Sequence, residues 1–420
     1  MPSGYDGRVL QTLDRHQAGV GDRVAIDSDI RYTGTIMPRY HHSDDSHIVL
    51  KLDNGYNVGV SIRNITGISI LERRPSAPPS APPPEPRSDL PDILLVSTGG
   101  TIASRVDYRT GAVTPALDAA QLGESMPELY DMANIRPLRL LSEYSENITP
   151  EHWLEMAGAI HRERSGYAGI ILAHGTDTMH YTAAYLSFAL AGCDTPIVLT
   201  GSQRSSDRAS SDAALNLAGA VSAIAQGIPR GVYIAMHHTQ SDDDTAIHHG
   251  TRARKSHASA RGAFRTINGE PAYMVRGGVL ERHTHGDYWD GAPYSPAISV
   301  DRRAALVKYH PGYDAALLDH MAEGRRAVIL EGTGLGHVGR EAYHSIRSMI
   351  RRGIFVGMTT QCIEGRVRMT VYESGRDLLD LGVTPLRMIP ETALVKAMWA
   401  ASRDMDMRDT MVSEMASEMV

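Results

Sequence analysis

Two segments of this 420-residue chain gather hydroxyls, glycines and, in one case, a carboxylate within a few positions. Ser97-Thr98-Gly99-Gly100-Thr101-Ile102-Ala103-Ser104 follows the apolar run ILLV. Its paired glycines let the backbone turn sharply and expose amides to a ligand, with the Thr98 and Thr101 hydroxyls on the rim. His174-Gly175-Thr176-Asp177-Thr178-Met179 follows GIILA and precedes the helical pattern HYTAAYLSFALAG. A hydroxyl beside a carboxylate at a helix start can orient an attacking water or nucleophile, and Asp177 can also take up a cationic substrate group. Each segment has a plain structural reading as well: a threonine-capped glycine turn for the first, helix capping by Thr and Asp for the second. Lys255, in TRARKSHASARGAF, would complete a Thr, Asp and Lys arrangement if desolvation or neighbouring cations held its amine neutral. Spacing alone makes it one more solvated cation beside Arg252, Arg254 and Arg261.

These groups act together only if the fold brings their loops to one edge. The short aliphatic runs ILLVS, GIILAH, PIVLTG, GVYIAM, AVILEG and IFVGMT alternate with helix-like stretches, the pattern of a mostly parallel sheet covered on both faces. In such α/β sheets functional groups collect where strands end, and both segments sit at the mouth of a presumed strand. A turn-rich break, GAPYSPAIS, separates two α/β lobes, 92–295 and 296–420. Residues 1–74 read differently: GDRVAIDS, RYTGTIM, HIVLKLDNG and YNVGVSI alternate in the manner of a small β-barrel, with a hairpin signal at Asp53-Asn54-Gly55. Between the two parts, residues 75–91 hold 8 of the 22 prolines, which makes a semi-rigid extended spacer.

The two segments carry a resemblance. Ser97-Thr98-Gly99-Gly100-Thr101-Ile102-Ala103 is similar to the first signature of the L-asparaginase and glutaminase family, and His174-Gly175-Thr176-Asp177-Thr178-Met179 is identical to its second. Similarity runs on through PIVLTGSQRSSDRASSDAALNLAGAV and weakly to about residue 400. The resemblance implies an asparaginase-like, two-lobed α/β body and hydrolysis of a side-chain carboxamide. By motif position, Thr101 resembles the family's primary nucleophile, and Thr176, Asp177 and Lys255 its second threonine, aspartate and lysine. Phe264, nine residues after Lys255, supports that choice of lysine. Tyr108 resembles the tyrosine of a loop that closes over substrate. Ser145 and Glu146, just before Trp153, resemble the pair that holds the substrate's α-carboxylate and α-amino groups. Gly100 and Gly175 are implied at the substrate, with backbone amides near them facing the oxyanion. Which threonine forms the covalent bond is not decided by residue type.

A stand-alone L-asparaginase or glutaminase is the nearest alternative reading, but a free enzyme of that kind needs neither barrel nor spacer. This layout is similar to one branch of the family, the D subunits of archaeal glutamyl-tRNA(Gln) amidotransferases. That likeness implies a division of labour: this chain releases ammonia from glutamine or asparagine, and a partner E subunit binds Glu-tRNA(Gln), uses ATP and Mg, and receives the ammonia to form Gln-tRNA(Gln). It implies no cofactor or metal bound by this chain, a barrel that docks the partner, and a homodimer within a heterotetramer.

Other features fit this picture or compete with it. The charge balance of 42 basic and 49 acidic residues, −7, argues against broad nucleic-acid binding by the chain alone. No Gly-x4-Gly-Lys-Ser/Thr phosphate loop occurs. No apolar run approaches the roughly 18 residues of a membrane span, and MPSGYDGRVL lacks the apolar stretch of a signal peptide, so the expectation is a cytoplasmic protein. Cys193 and Cys362 are too few for a disulfide framework and read as buried small hydrophobes. Gly334-Leu335-Gly336-His337-Val338-Gly339 formally fits a dinucleotide fingerprint of an oxidoreductase, but the next strand, IFVGMTTQ, lacks a terminal acid for the ribose, which favours a tight strand-to-helix turn. His237 to Asp244 with His248-His249 could supply metal ligands, yet the spacing singles out no site and a hydrophilic loop is expected. The proline segment is read as a spacer ahead of a ligand for a proline-binding module.

Overall fold

The structure is a computed structural model and describes residues 5–37, 44–53, 56–73, 84–99, 104–107, 112–115, 126–204, 210–283, 293–403 and 405–419. The chain divides into two compact units, Met1–Pro82 with Ser104–Thr114, and Pro83–Ala103 with Pro115–Val420.

The first unit begins with helix α1 (Gly7–Arg15) and continues through β1 (Arg23–Asp27), β2 (Arg31–Ile36), β3 (His47–Leu52), β4 (Asn57–Ser61) and β5 (Gly67–Glu72). The alternating runs expected of a barrel form a five-stranded sheet in the order β4-β3-β2-β1-β5, antiparallel throughout. Alternation sends Val24, Ile26, Ile36, Ile48, Leu50 and Val60 into one core, where Val9 and Leu13 of α1 join them. To the strands expected from the alternating runs, α1 adds a helix whose two core residues, Val9 and Leu13, lie four positions apart. β3 and β4 pair as a hairpin with Lys51 opposite Asn57; Asn54 and Gly55 lie outside the described residues. Two short strands, β7 (Ser104–Asp107) and β8 (Ala112–Pro115), pair with each other.

The larger unit is built on β6 (Asp92–Gly99), β9 (Asn134–Glu143), β10 (Gly169–Ala173), β11 (Ile197–Thr200), β12 (Val232–His237), β13 (Asp244–His249), β16 (Tyr273–Arg276) and β17 (Val279–Arg282), in the order β17-β16-β13-β12-β11-β10-β6-β9. From β12 to β9 the pairing is parallel, and β13, β16 and β17 extend the sheet antiparallel. The continuous apolar runs have a direct cause: the pleat splits each between two buried faces. Leu94, Val96, Ile170, Leu172, Leu199 and Ile234 join one core, whereas Ile93, Leu95, Ile171, Val198 and Tyr233 join the other. The first face is covered by α2 (Pro150–Glu163), α3 (Met179–Ala189) and α8 (Pro390–Ala401), the second by α4 (Ala213–Ala225). A small ribbon of β14 (Ala253–Lys255) and β15 (Phe264–Thr266) follows β13.

The carboxyl-terminal lobe carries a parallel sheet of β18 (Ala304–Lys308), β19 (Ala327–Gly332), β20 (Phe355–Thr360) and β21 (Thr384–Pro385). Helices α5 (Ala315–Met321), α6 (Tyr343–Arg351) and α7 (Glu373–Leu381) cover one face, and α8, with α9 (Met407–Val412) after it, lies toward the larger sheet. Ala327, Ile329 and Leu386 of this lobe share a core with Ile170 and Phe188 of the other.

Two expectations need correction here. Cys193 is buried, but Cys362 is exposed, because it lies two residues past the end of β20 in the loop. The histidine-rich segment is not one hydrophilic loop: only its middle, His238 to Asp243, is exposed, whereas His237, His248 and His249 are buried strand residues. The glycine segment after β19 is a closed turn. Gly336 and His337 both donate their backbone N–H to the Thr333 carbonyl at 3.0 Å, and the Thr360 hydroxyl donates to the Gly334 carbonyl at 2.6 Å. Amides committed in this way are not available to a pyrophosphate. Among the described residues, no helix is long and apolar enough to cross a membrane, and no three His, Cys, Asp or Glu side chains group to hold a metal ion.

Candidate active site

Neighbouring parallel strands β9, β6 and β10 end on one rim of the sheet, and each contributes a turn there. β6 keeps its register with β10 up to Ser97 opposite Ala173. Gly99 then adopts φ +108°, and a Cβ there would lie 2.3 Å from the Glu143 carbonyl oxygen, so only glycine fits where β6 passes the end of β9. Thr98 departs from its expected place on the rim. It remains within the strand, is 1% exposed, and its hydroxyl donates to the Ala173 carbonyl at 2.9 Å, tying the two strand ends together. Gly100, Thr101 and Tyr108 lie outside the described residues.

The β10 turn holds the centre of the site. Lys255, the last residue of β14, donates from Nζ to the Thr176 hydroxyl oxygen at 2.8 Å and to Asp177 Oδ1 at 2.6 Å. It sits opposite Phe264 in the ribbon, the aromatic that singled it out in the sequence. Its side chain is 9% exposed, against the solvated cation that spacing alone suggests, and Asp177 is 64% exposed, so the pair closes from below and opens toward solvent. Ser145, buried in the turn after β9, reaches Asp177 Oδ2 from its hydroxyl at 3.4 Å. Glu146 follows it on the exposed side of the same turn. Thr178 precedes α3 yet makes no side-chain cap; its hydroxyl donates to the Ser145 carbonyl at 2.6 Å. The capping reading therefore fails for Thr178, and Asp177 is engaged by Lys255.

Close packing fixes this turn. A Cβ on Gly175 would lie 2.7 Å from the Ser145 Cβ, and one on Gly201 would lie 2.5 Å from the His174 carbonyl oxygen and 3.0 Å from the Thr176 Cγ2. Behind it runs a chain of hydrogen bonds: Trp153 Nε1 donates to the Thr182 hydroxyl at 3.0 Å, Thr182 lies 3.0 Å from His174 Nε2, and His174 Nδ1 lies 2.7 Å from the Gly175 carbonyl. A neutral imidazole satisfies all three if Nδ1 carries the proton. Burial lowers the His174 pKa to about 4, which keeps the ring neutral. His180, the second residue of α3, is likewise lowered to about 4, first by burial and then by the neighbouring Arg254 and Lys255 charges.

Sequence reading set Arg254 aside among the cations around Lys255. Its Nε lies 3.0 Å from Glu391 Oε1 in α8 of the other lobe. Burial pushes the Glu391 carboxyl pKa up, and Arg254 opposes that shift. No local spacing joins residues so far apart in the chain. At the end of β11, Ser202 Oγ and Gln203 Nε2 are buried without hydrogen-bond partners among the described residues.

The chain matches the sequence models "GatD N-terminal domain" over residues 18–71, "Asparaginase, N-terminal" over 92–286 and "Glutaminase/Asparaginase C-terminal domain" over 303–411. The glutamyl-tRNA(Gln) amidotransferase D subunit of Pyrococcus furiosus is 42% identical, covering 96% of this chain and 94% of its own length. That of Methanothermobacter thermautotrophicus is 43% identical over 99% and 95%. This chain belongs to the D-subunit family of glutamyl-tRNA(Gln) amidotransferases. Among solved structures, the thermostable L-asparaginase from Thermococcus kodakarensis superposes with a TM-score of 0.70 at 31% identity, covering 78% of this chain and 99% of that one. L-asparaginase I from Vibrio cholerae gives 0.66 at 27% identity over 79% and 99%. This D-subunit family member thus shares an asparaginase fold and carries in addition a part that those asparaginases lack.

Proposed function

We propose that this chain is the ammonia-releasing amidase component of a cytoplasmic, tRNA-dependent amidotransferase that converts Glu-tRNA(Gln) to Gln-tRNA(Gln). One observation carries the chemistry: an amine held between a threonine hydroxyl and a carboxylate on the rim where the glycine-rich strand β6 also ends. An unassisted threonine hydroxyl is a weak nucleophile near neutral pH, so amide cleavage needs a proton acceptor and donors for the developing oxyanion. Thr101 attacks the side-chain carboxamide of glutamine or asparagine, and its proton passes to Tyr108 or to the Lys255 pair. Backbone N–H groups near Gly100 and Gly175 stabilise the tetrahedral oxyanion, each for roughly 3 kcal/mol. The C–N bond breaks, the nitrogen takes up a proton and leaves as ammonia, and an acyl ester remains on Thr101. Thr176 and Lys255 then orient a water that cleaves the ester to the free acid and restores the hydroxyl. Asp177 holds Lys255 in register, and Ser145 and Glu146 receive the α-carboxylate and α-amino groups.

The ammonia acceptor belongs to a partner. An E subunit binds Glu-tRNA(Gln), activates its γ-carboxyl with ATP and Mg, and takes the ammonia; this chain itself holds no cofactor. The acidic net charge of −7 suits a chain that leaves most of the tRNA surface to its partner. The small amino-terminal unit docks the E subunit, and the chain pairs with a second copy inside a heterotetramer. The test mixes the chain with a candidate E subunit, Glu-tRNA(Gln), ATP and glutamine. Formation of Gln-tRNA(Gln) that needs both proteins supports the reading. Full amidase activity indifferent to partner and tRNA, with no Gln-tRNA(Gln) formed, contradicts it.

A further inference from the structure

The segment after α9, residues 413–419, lies beyond the asparaginase carboxyl-terminal match, which stops at residue 411. It nevertheless packs into the interior. Glu418 is 0% exposed and folds back on its own turn, where its carboxylate accepts the backbone N–H of Met415 at 3.1 Å and of Ala416 at 2.7 Å. The same carboxylate pairs with Lys396 of α8, which is equally buried, and Lys396 also donates to the Ser413 carbonyl. So arranged, the turn presents the Ala416 carbonyl to Thr251, whose hydroxyl donates to it at 2.8 Å. The Thr251 carbonyl in turn accepts the Thr392 hydroxyl of α8 at 2.7 Å. Thr251 is 1% exposed and stands four residues before Lys255, at the entry to the three-residue strand β14. On that strand Arg254 is anchored to Glu391, also in α8.

From this we infer that residues 413–419 act as a clasp that sets the position of Lys255, with Glu418 and Thr251 as positioning residues for the amidase reaction. β14 is too short to fix its own course, and its one ladder partner, β15, is equally short. The tail and α8 supply the missing constraints, holding the strand at Thr251 and at Arg254 so that the ammonium meets both Thr176 and Asp177. A small misplacement of a catalytic group slows the reaction out of proportion to the hydrogen bond removed. The inference rests on the amidase reading given above.

The test compares Thr251→Val, Thr251→Ser, Glu418→Ala and Lys255→Met in the full chain, measuring ammonia release from glutamine together with thermal unfolding. Thr251→Val keeps the volume and removes the hydroxyl, whereas Thr251→Ser keeps the hydroxyl and removes a methyl. A clasp predicts that Thr251→Val and Glu418→Ala lower kcat about tenfold, with KM changed by less than about threefold, while Thr251→Ser stays near the parent. A purely packing role reverses the order of the two Thr251 variants, and that order overturns the inference. Unaltered kcat in folded Thr251→Val also overturns it, provided Lys255→Met is inactive. Should Lys255→Met itself turn over normally, the amidase reading fails first and the clasp with it.

Discussion

Lys255 and Thr176 lie 79 positions apart in the chain, yet the amine of one donates to the hydroxyl of the other across 2.8 Å. Two separate elements deliver them, the turn ending β10 and the last residue of β14. The contact is therefore a product of the whole fold, and removing either end interrogates the mechanism.

Replacing Thr176 by Val keeps the size of the side chain and removes the oxygen that Lys255 meets. Ammonia release falls by on the order of 10²- to 10⁴-fold, the usual span for a proton-handling group. Tm changes little, because the hydroxyl supports one partly solvated hydrogen bond. Coupled assays of ammonia at saturating glutamine, beside a calorimetric scan, measure both.

Gly175→Ala and Gly201→Ala place a methyl group 2.7 Å from the Ser145 Cβ and 2.5 Å from the His174 carbonyl oxygen. The backbone must shift in each, which costs roughly 1–3 kcal/mol of stability. Denaturant midpoints drop for both variants, and activity drops further than stability because the same turn carries Thr176.

Stability depends on pH through the buried histidines. His174, His180 and His249 have pKa values lowered to about 4 and His248 to about 3, burial being the main cause in each. The unfolded chain takes up these protons near the ordinary value of 6.5, the folded chain only near 4 or below. Stability is thus fully present above pH 6.5 and declines as pH falls from there toward 4, by about 1.4 kcal/mol per histidine for each pH unit. Urea unfolding at pH 7.5, 6 and 5 shows a falling midpoint, and His248→Asn, which lacks an ionisable ring, flattens the slope.

Lys396 and Glu418 form an ion pair with both side chains fully buried. Lys396→Met alone leaves an unpaired carboxylate in the interior and costs about 3–5 kcal/mol. Adding Glu418→Leu removes that charge and recovers most of the loss, read from unfolding free energies as a double-mutant cycle.

Deleting residues 1–74 removes α1 and β1 to β5, whose shared core is formed by residues of that segment. The shortened chain retains amidase activity and loses affinity for the E subunit in gel filtration of the mixed proteins. Undiminished complex formation contradicts the docking role.

Much of this architecture was legible because strand runs buried on two faces must be continuously apolar, as ILLVS and GIILAH are. The site was legible where chemistry sits in a local motif, as in His174 to Met179, or is flagged by an aromatic, as Phe264 flags Lys255. Three kinds of feature escaped. Thr98 sits in a motif of rim residues but turns out to be a strand tie, since its strand runs three residues past the apolar run ILLV. The antiparallel strands β13, β16 and β17 carry polar and charged residues, so they lack the continuously apolar signature of buried parallel strands. Glu391 and the turn that Glu418 shapes reach the Lys255 strand and the adjoining Thr251 from distant parts of the chain, and spacing within a window holds no trace of such contacts.

The central claim is that this chain cleaves a carboxamide through groups gathered around Thr176 and Lys255. Its most direct test is steady-state ammonia release from glutamine and from asparagine by the purified chain, beside folded Lys255→Met. The account predicts measurable release by the parent and a loss on the order of 10³-fold in the variant. Release by Lys255→Met at the parental rate would contradict it.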